Sequence, residues 1–396
     1  MKKILATLII ICCSASVFSQ TQFVFKGKIS GASDLHCIFM YQDENGENKM
    51  DSSVLKDGEF SFKGNINSPI MGYFTVNPGS FKIKDDSDPN TKGVFLAPGV
   101  ITATGKYDSL KEMTITGSKS QSEFEELQNQ YGGLNAEYNR LAHDFDIALA
   151  DFETAQKNNK DKKLIDSLHA KMENIRDQYQ NFQPRYLAVD RLFILSHPNS
   201  SASSFELEVD FNQLPYDTVK SLFNELKPIV REGYYGKAIL EQLTAIENNS
   251  VGKIASNFTA TDLDGKPLTF SSLRGKVILL DFWASWCKPC RESTPHLIEL
   301  YRKYHGLGFD IIAIGDDDQT KGAWIKAIAQ DSSSLWHNVL RGHYSQNKND
   351  DIANKFAVSF LPTRILIDEN GFILARYGGN EDNGTLDNKL AAIFKQ

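Results

Sequence analysis

The stretch Val277-Ile278-Leu279-Leu280-Asp281-Phe282-Trp283-Ala284-Ser285-Trp286 runs almost without a polar break into Cys287-Lys288-Pro289-Cys290, and it limits the fold more than any other part of the chain. It reads as a strand from Lys276 to Phe282 that delivers two cysteines, two residues apart, to the start of the helix that follows, Cys287 to Tyr304. Further on come a strand Phe309 to Ile314, a helix Gly322 to Gln330, a segment around Leu335 to Leu340, strands Arg364 to Ile367 and Phe372 to Tyr377, and a closing helix Leu386 to Phe394. Strands alternating with helices over residues 251–396 predict an α/β domain.

At a helix N-terminus the unsatisfied backbone N–H groups and the helix dipole favour an anion, which lowers a thiol's pKa and makes Cys287 a nucleophile. Lys288 adds a positive charge beside it. Cys290, three positions on, reaches the same sulfur from the first helical turn and faces inward, which suits a resolving thiol. The pair can then cycle between dithiol and disulfide through a mixed disulfide on Cys287. Two static readings compete. Half a zinc site would need two more ligands at matching spacing, and His296 and His305 on the same helix do not supply a second pair, so no metal is expected. A purely structural disulfide would gain little, because closing so short a loop removes little chain entropy.

Together with Pro295, Leu361-Pro362-Thr363 and Ile367-Asp368-Glu369-Asn370-Gly371, these residues resemble the thioredoxin superfamily, and most closely its envelope branch, the TlpA/ResA-like thiol-disulfide oxidoreductases. The resemblance covers residues 251–396. It implies a thioredoxin-like fold, protein disulfide oxidoreductase activity, catalytic roles for Cys287, Cys290 and Asp281, and substrate contacts from Trp286, Leu361 and Pro362. Asp281 takes the family's buried-acid position beneath the cysteines, where burial would raise a carboxyl pKa and let it accept the Cys290 proton. Pro362 matches the family's cis-proline, whose backbone pairs with an extended substrate; by itself it reads as a turn proline. Trp286 would pack over the pair. No cofactor is implied. The implied partners are protein thiol or disulfide substrates and an unidentified envelope electron donor. The chain departs from the family at Ala255-Ser256-Asn257-Phe258, where a proline is usual, and in a polar loop from Gly342 to Asp351. Asp316-Asp317-Asp318 reads as a solvated cap at a helix start, and no metal claim follows from it.

Residues 20–117 carry short strand-like runs, among them Phe23-Val24-Phe25, Cys37 to Tyr41, Glu59 to Phe62, Tyr73 to Val76, Gly93 to Leu96 and Val100 to Thr104. Turn signals such as Asp57-Gly58, Asn77-Pro78-Gly79 and Ala97-Pro98-Gly99 separate them. This spacing predicts an antiparallel β-sandwich. It contains no acid pair, no nucleophile with a base and no ligand cluster, which leaves docking by surface alone. Through Lys56 to Gly64, Phe95 to Gly99 and Ile115 to Ser118 it resembles a β-domain of unknown function found ahead of envelope thioredoxin-like domains.

Residues 118–250 are read as helical. Leu127, Tyr131, Leu134, Tyr138, Leu141, Phe145, Ala148 and Phe152 form one apolar seam, a polar break follows at Asn158 to Asp161, and Leu164, Leu168, Ile175, Tyr179 and Phe182 form a second. Two seams joined by a short break predict an antiparallel helical hairpin. The alternative is a homodimer stalk through residues 120–182, where Gly132-Gly133 inside the first helix would cost about 1 kcal/mol each.

Residues 1–19 read as a signal peptide: Lys2-Lys3, an apolar core from Ile4 to Ile11, and Val17-Phe18-Ser19 before the cut. That core is too short to span a bilayer, and no later segment of the mature chain is long and apolar enough to do so. A lipid anchor would need a small residue before Cys12 or Cys13, and none stands there. Cleavage leaves Cys37, Cys287 and Cys290, which do not form a disulfide framework; Cys37 reads as a buried structural thiol. With 43 Lys+Arg against 50 Asp+Glu, the net charge of −7 offers no basic field for nucleic acid. The expected location is the periplasm or cell envelope. The leading function is an exported oxidoreductase that exchanges protein disulfides through Cys287, in the reductase direction. Behind it stand a peroxiredoxin-like peroxidase, which would want Thr or Ser where Ala284 lies, and a non-catalytic envelope binding protein using the fold as a scaffold.

Overall fold

The computed structural model describes residues 21–76, 88–158, 160–179, 181–343, 350–378 and 384–395. The signal peptide read at residues 1–19 and the turn Asn77-Pro78-Gly79 lie outside them, as does the middle of the loop from Gly342 to Asp351. The chain divides into two compact units between Ile239 and Leu240.

Among the described residues the first unit opens with eight strands: β1 (Gln22–Ser30), β2 (His36–Gln42), β3 (Asn48–Val54), β4 (Glu59–Asn65), β5 (Ile70–Val76), β6 (Thr91–Leu96), β7 (Gly99–Lys106) and β8 (Thr114–Thr116). They form two four-stranded sheets, β4-β1-β7-β8 and β3-β2-β5-β6. Alternation along each strand sends Phe23 and Phe25, Phe60 and Phe62, Phe39 and Phe74 into one shared core. Ring pairs such as Phe60 on Phe74, centroids 4.5 Å apart, tie the sheets together. Two features differ from the expectation. β1 and β7 pair in parallel. β3 is a strand that the sequence pattern does not announce, because Asn48 to Ser53 is mostly polar and no residue of the strand is fully buried. Cys37 lies in the core, where burial pushes its thiol up to about 11.

Eight helices follow: α1 (Lys119–Gln130), α2 (Gly132–Lys157), α3 (Lys162–Tyr179), α4 (Phe182–Ser196), α5 (Ser201–Val209), α6 (Tyr216–Glu225), α7 (Pro228–Arg231) and α8 (Tyr234–Asn248). The long seam is not one helix. It breaks at Tyr131, so Gly132-Gly133 open the second helix instead of weakening the first. The two halves also bury against different partners. Leu127 and Tyr131 join Met71, Phe95, Phe193 and Tyr235, whereas Leu141 and Ala148 meet Ile175 and Phe182 across the α2–α3 hairpin.

The second unit contains β9 (Thr259–Thr261), β10 (Pro267–Thr269), β11 (Val277–Trp283), α9 (Lys288–Tyr304), β12 (Phe309–Gly315), α10 (Lys321–Gln330), β13 (His337–Leu340), α11 (Ile352–Lys355), β14 (Thr363–Ile367), β15 (Ile373–Gly378) and α12 (Thr385–Ile393). Its sheet runs β13-β12-β11-β14-β15. β11 is central, parallel to β12 and antiparallel to β14, and all seven of its residues are buried. Leu279 and Trp283 face the core that holds Leu297, Leu300 and Tyr304 of α9. Ile278, Leu280 and Phe282 face the opposite core with Phe258 and Phe356. Among the described residues no helix is long and apolar enough to cross a membrane.

The helices of the first unit also bury a group of acids. The Tyr131 hydroxyl donates to Asp190 of α4, and Glu206 and Asp210 are buried near it. Glu206 is raised to about 8, first by burial and then by Asp190 and Asp210; Asp210 is raised to about 7 by burial and by Asp190. A carboxyl whose pKa rises on folding holds its proton more tightly in the native state. Its stabilising effect is therefore complete below the ordinary value of 4.5 and is lost as pH climbs towards 8. Glu206→Gln should unfold at the same temperature as the parent at pH 4 and at least ~2–4 °C higher at pH 8, about 1 kcal/mol for a unit of this size. Calorimetry at the two pH values checks this, and equal midpoints at pH 8 would contradict it.

Candidate active site

β11 ends at Trp283, and a turn through Ala284, Ser285 and Trp286 leads directly into α9. Cys287 is the N-cap of that helix: its Sγ accepts the Cys290 N–H at 3.3 Å, in the place a serine or aspartate oxygen usually takes. The two sulfurs are joined in a disulfide, with Cα atoms 5.3 Å apart. Both cysteines are buried, and Pro295 lies inside α9 two turns on. Lys288 points outward and lies 3.6 Å from Glu292, so its charge is shared with a surface partner.

The turn that presents Cys287 is held from the neighbouring strand. Because β12 runs parallel to β11 with Gly315 opposite Trp283, the residues after β12 emerge beside Ala284 to Trp286. The Ser285 N–H donates to Asp317 Oδ2 at 2.7 Å, its hydroxyl donates to Oδ1 at 2.5 Å, and Thr320 donates to the same oxygen at 2.8 Å. Asp317 is 1% exposed. The acidic run read as a solvated cap is thus a buried anchor at its middle residue. Its neighbours also look inward: Asp318 accepts the Gly342 N–H, and Asp316 lies 3.4 Å from Arg341. An aspartate two residues past a buried strand is the signal, and only the register of β11 against β12 gives it a target.

Asp281 is buried, as expected, but it does not stand alone. It pairs across the sheet with Arg364 of β14, and the guanidinium Nε lies 3.0 Å from its Oδ1, with both residues under a tenth exposed. Arg364 also donates to the Ser293 hydroxyl, which in turn donates to the Cys290 carbonyl at 2.7 Å. Burial alone favours a neutral carboxyl; a cation in contact favours the carboxylate. The expectation of an acid raised by burial alone therefore meets an opposing charge that lies 83 residues away in sequence.

Trp286 does not pack into the core; it is 65% exposed. With Phe360, 56% exposed, and Leu361 it borders a depression of about 130 Å³ that is floored by Phe282 and Ile314 and edged by Asp316 and Arg341. The Leu361–Pro362 peptide bond is cis. His296 pairs with Asp387 at 3.0 Å, and His305 donates to the Phe309 carbonyl, so neither histidine turns to the cysteines. Among the described residues no group of three or more His, Cys, Asp or Glu could hold a metal ion. What this arrangement can do is exchange a disulfide at a helix N-terminus beside an open apolar surface.

Asp317→Ala removes the acceptor of three hydrogen bonds from a dry site and should cost about 2–4 kcal/mol in a urea titration. It should also speed amide exchange at Ser285. Unchanged protection of that amide would show that the anchor does not hold the turn.

A thioredoxin-like family model matches residues 275–373, and a domain of unknown function, DUF4369, matches residues 23–124. The thiol-disulfide oxidoreductase ResA of Bacillus cereus is 35% identical over 147 residues, covering 37% of this chain and 80% of that protein. ResA of Bacillus thuringiensis is 33% identical over 173 residues, covering 43% and 95%. The crystal structure of the thioredoxin domain of a thiol-disulfide oxidoreductase from Bacteroides vulgatus aligns at 30% identity, covering 36% of this chain and 98% of that one, with a TM-score of 0.31. The chain belongs to the thioredoxin superfamily as a ResA-like thiol-disulfide oxidoreductase.

Proposed function

We propose that the protein is exported and works as a reductase of protein disulfides, with Cys287 as the attacking sulfur and Cys290 as the resolving one. The observation that carries this reading is the Cys287–Cys290 disulfide at the N-terminus of α9, directly after Trp286, which borders an exposed surface with Phe360 and Leu361. In the reduced protein the helix terminus favours the Cys287 thiolate. That thiolate attacks one sulfur of a substrate disulfide, forming the Cys287–substrate bond and releasing the other substrate sulfur as a thiolate. Cys290 then loses its proton, for which the Asp281 carboxylate is the proposed acceptor, and attacks Cys287 Sγ. The Cys287–Cys290 bond forms, the second substrate sulfur leaves, and two electrons have passed to the substrate. A dithiol donor in the envelope must restore the pair.

The surface beside the cysteines suits an extended peptide. Trp286 and Leu361 supply apolar contact, and the backbone before Pro362 can pair with the substrate strand. Export rests on the signal read at residues 1–19, and the sandwich and helical region would then direct the reaction to its substrates.

Cys290→Ala should trap mixed disulfides with envelope proteins that reducing agent releases, and Cys287→Ala should trap none. If the Cys290→Ala protein accumulates no adducts while the parent reduces no protein disulfide, the proposal fails.

A further inference from the structure

Arg364 is a buried cation in the middle of the reaction domain, and the exchange chemistry above does not use it. Alternation along β11 places Asp281 on the same face as Leu279 and Trp283, which pack in one core with Cys287 and Cys290. Arg364 lies opposite it on β14 and joins the two sides of that core: Nε goes to Asp281, and the other end of the fork goes to Ser293, whose hydroxyl holds the Cys290 carbonyl. A guanidinium suits this bridge, because its planar fork serves two acceptors at once and does not lose its proton. Several elements are packed against the pair. α9 contributes Cys287 and Cys290, β12 contributes Ala313 opposite Asp281, and β15 contributes Tyr377 opposite Arg364. The other charged side chains of the first turns of α9 are engaged at the surface, Lys288 near Glu292 and Arg291 with Asp331.

We propose that Arg364 is a positioning residue for the step in which Cys290 displaces the substrate sulfur: it keeps Asp281 anionic, ready to take the Cys290 proton, and through Ser293 it fixes the helical turn that carries Cys290. In that step the Cys290 S–H bond breaks and its proton passes to the Asp281 carboxylate. The Cys290 sulfur bonds to Cys287 Sγ, and the bond from Cys287 to the substrate breaks with its electron pair on the leaving sulfur. Without Arg364, Asp281 would hold a proton of its own at mildly acidic pH and could not accept another.

The inference rests on the exchange reading, and the experiment separates the two. Reduced full-length protein is mixed with dithiobis(nitrobenzoate): attack by Cys287 releases the first equivalent of thionitrobenzoate, and attack by Cys290 releases the second. The rate of second release in Arg364→Gln, divided by that of wild type, should fall at least about tenfold between pH 8 and pH 5.5, the equivalent of one pKa unit. Arg364→Lys, which keeps the charge, should hold that ratio nearly constant. If Arg364→Gln does not fold, Asp281→Asn and Asp281→Asn/Arg364→Gln replace it. Their pH profiles should have the same shape, offset at most by a constant factor, because Arg364 acts on the pH dependence only through the acid while its bond to Ser293 does not titrate. A ratio for Arg364→Gln that does not change with pH, or profiles of the two Asn variants that differ in shape, would overturn the role of Arg364. Failure of wild type to release either equivalent would instead remove the exchange reading itself.

Discussion

The chemistry of the second unit depends on one constraint: β11 is hydrogen-bonded along both edges and buried on both faces. A strand held in this way has no freedom of register, since a shift of one residue would turn Leu279 and Trp283 into the wrong core. The end of the strand, and therefore the start of α9, is fixed in space. Cys287 becomes the N-cap because the turn is only three residues long, and Asp317 ties that turn to the next strand. The position of the disulfide is thus set by the packing of a strand that carries neither sulfur.

Charge inside this domain is arranged by the same sheet. Taking a carboxylate and a guanidinium out of water costs several kcal/mol for each, and their attraction offsets this only when the geometry is good and the remaining donors are satisfied. Asp281 and Arg364 meet both conditions, but a well-packed apolar pair would stabilise the strand as well or better. A carboxylate held at this point in the sheet is what the proposed transfer of the Cys290 proton requires. Lys288, by contrast, lies at the surface with Glu292 near it, where solvent screens its charge.

The first unit handles acids differently. Asp190, Glu206 and Asp210 sit in one buried neighbourhood: burial raises all three first, Asp190 adds to the rise of Asp210, and both add to that of Glu206. The cost falls on stability at higher pH and not on any reaction. Its β-sheets share an aromatic core of Phe23, Phe25, Phe39, Phe60, Phe62 and Phe74, in which the one buried thiol, Cys37, is pushed up and away from reactivity by burial.

Local pattern was enough wherever one residue's environment follows from its neighbours in sequence. The apolar run of β11, the cysteine spacing, the strands of β1 and β4 and the two helical seams were legible because period and composition decide them. β3 was hidden because an edge strand with polar side chains has no such pattern. The break at Tyr131 was hidden because the seam keeps its spacing across it, while Leu127 and Leu141 turn to different partners. At the site, Cys287, Cys290 and Asp281 could be named from spacing and resemblance, but Arg364 and Asp317 could not. Neither stands in a motif, and each acquires its part only through strand pairing: Arg364 opposite Asp281 on β14, Asp317 beside Ser285 because β12 runs parallel to β11. The sequence by itself determined which side chains could react; the tertiary structure decided which charges and hydrogen bonds surround them, because those partners meet only once the sheet has formed.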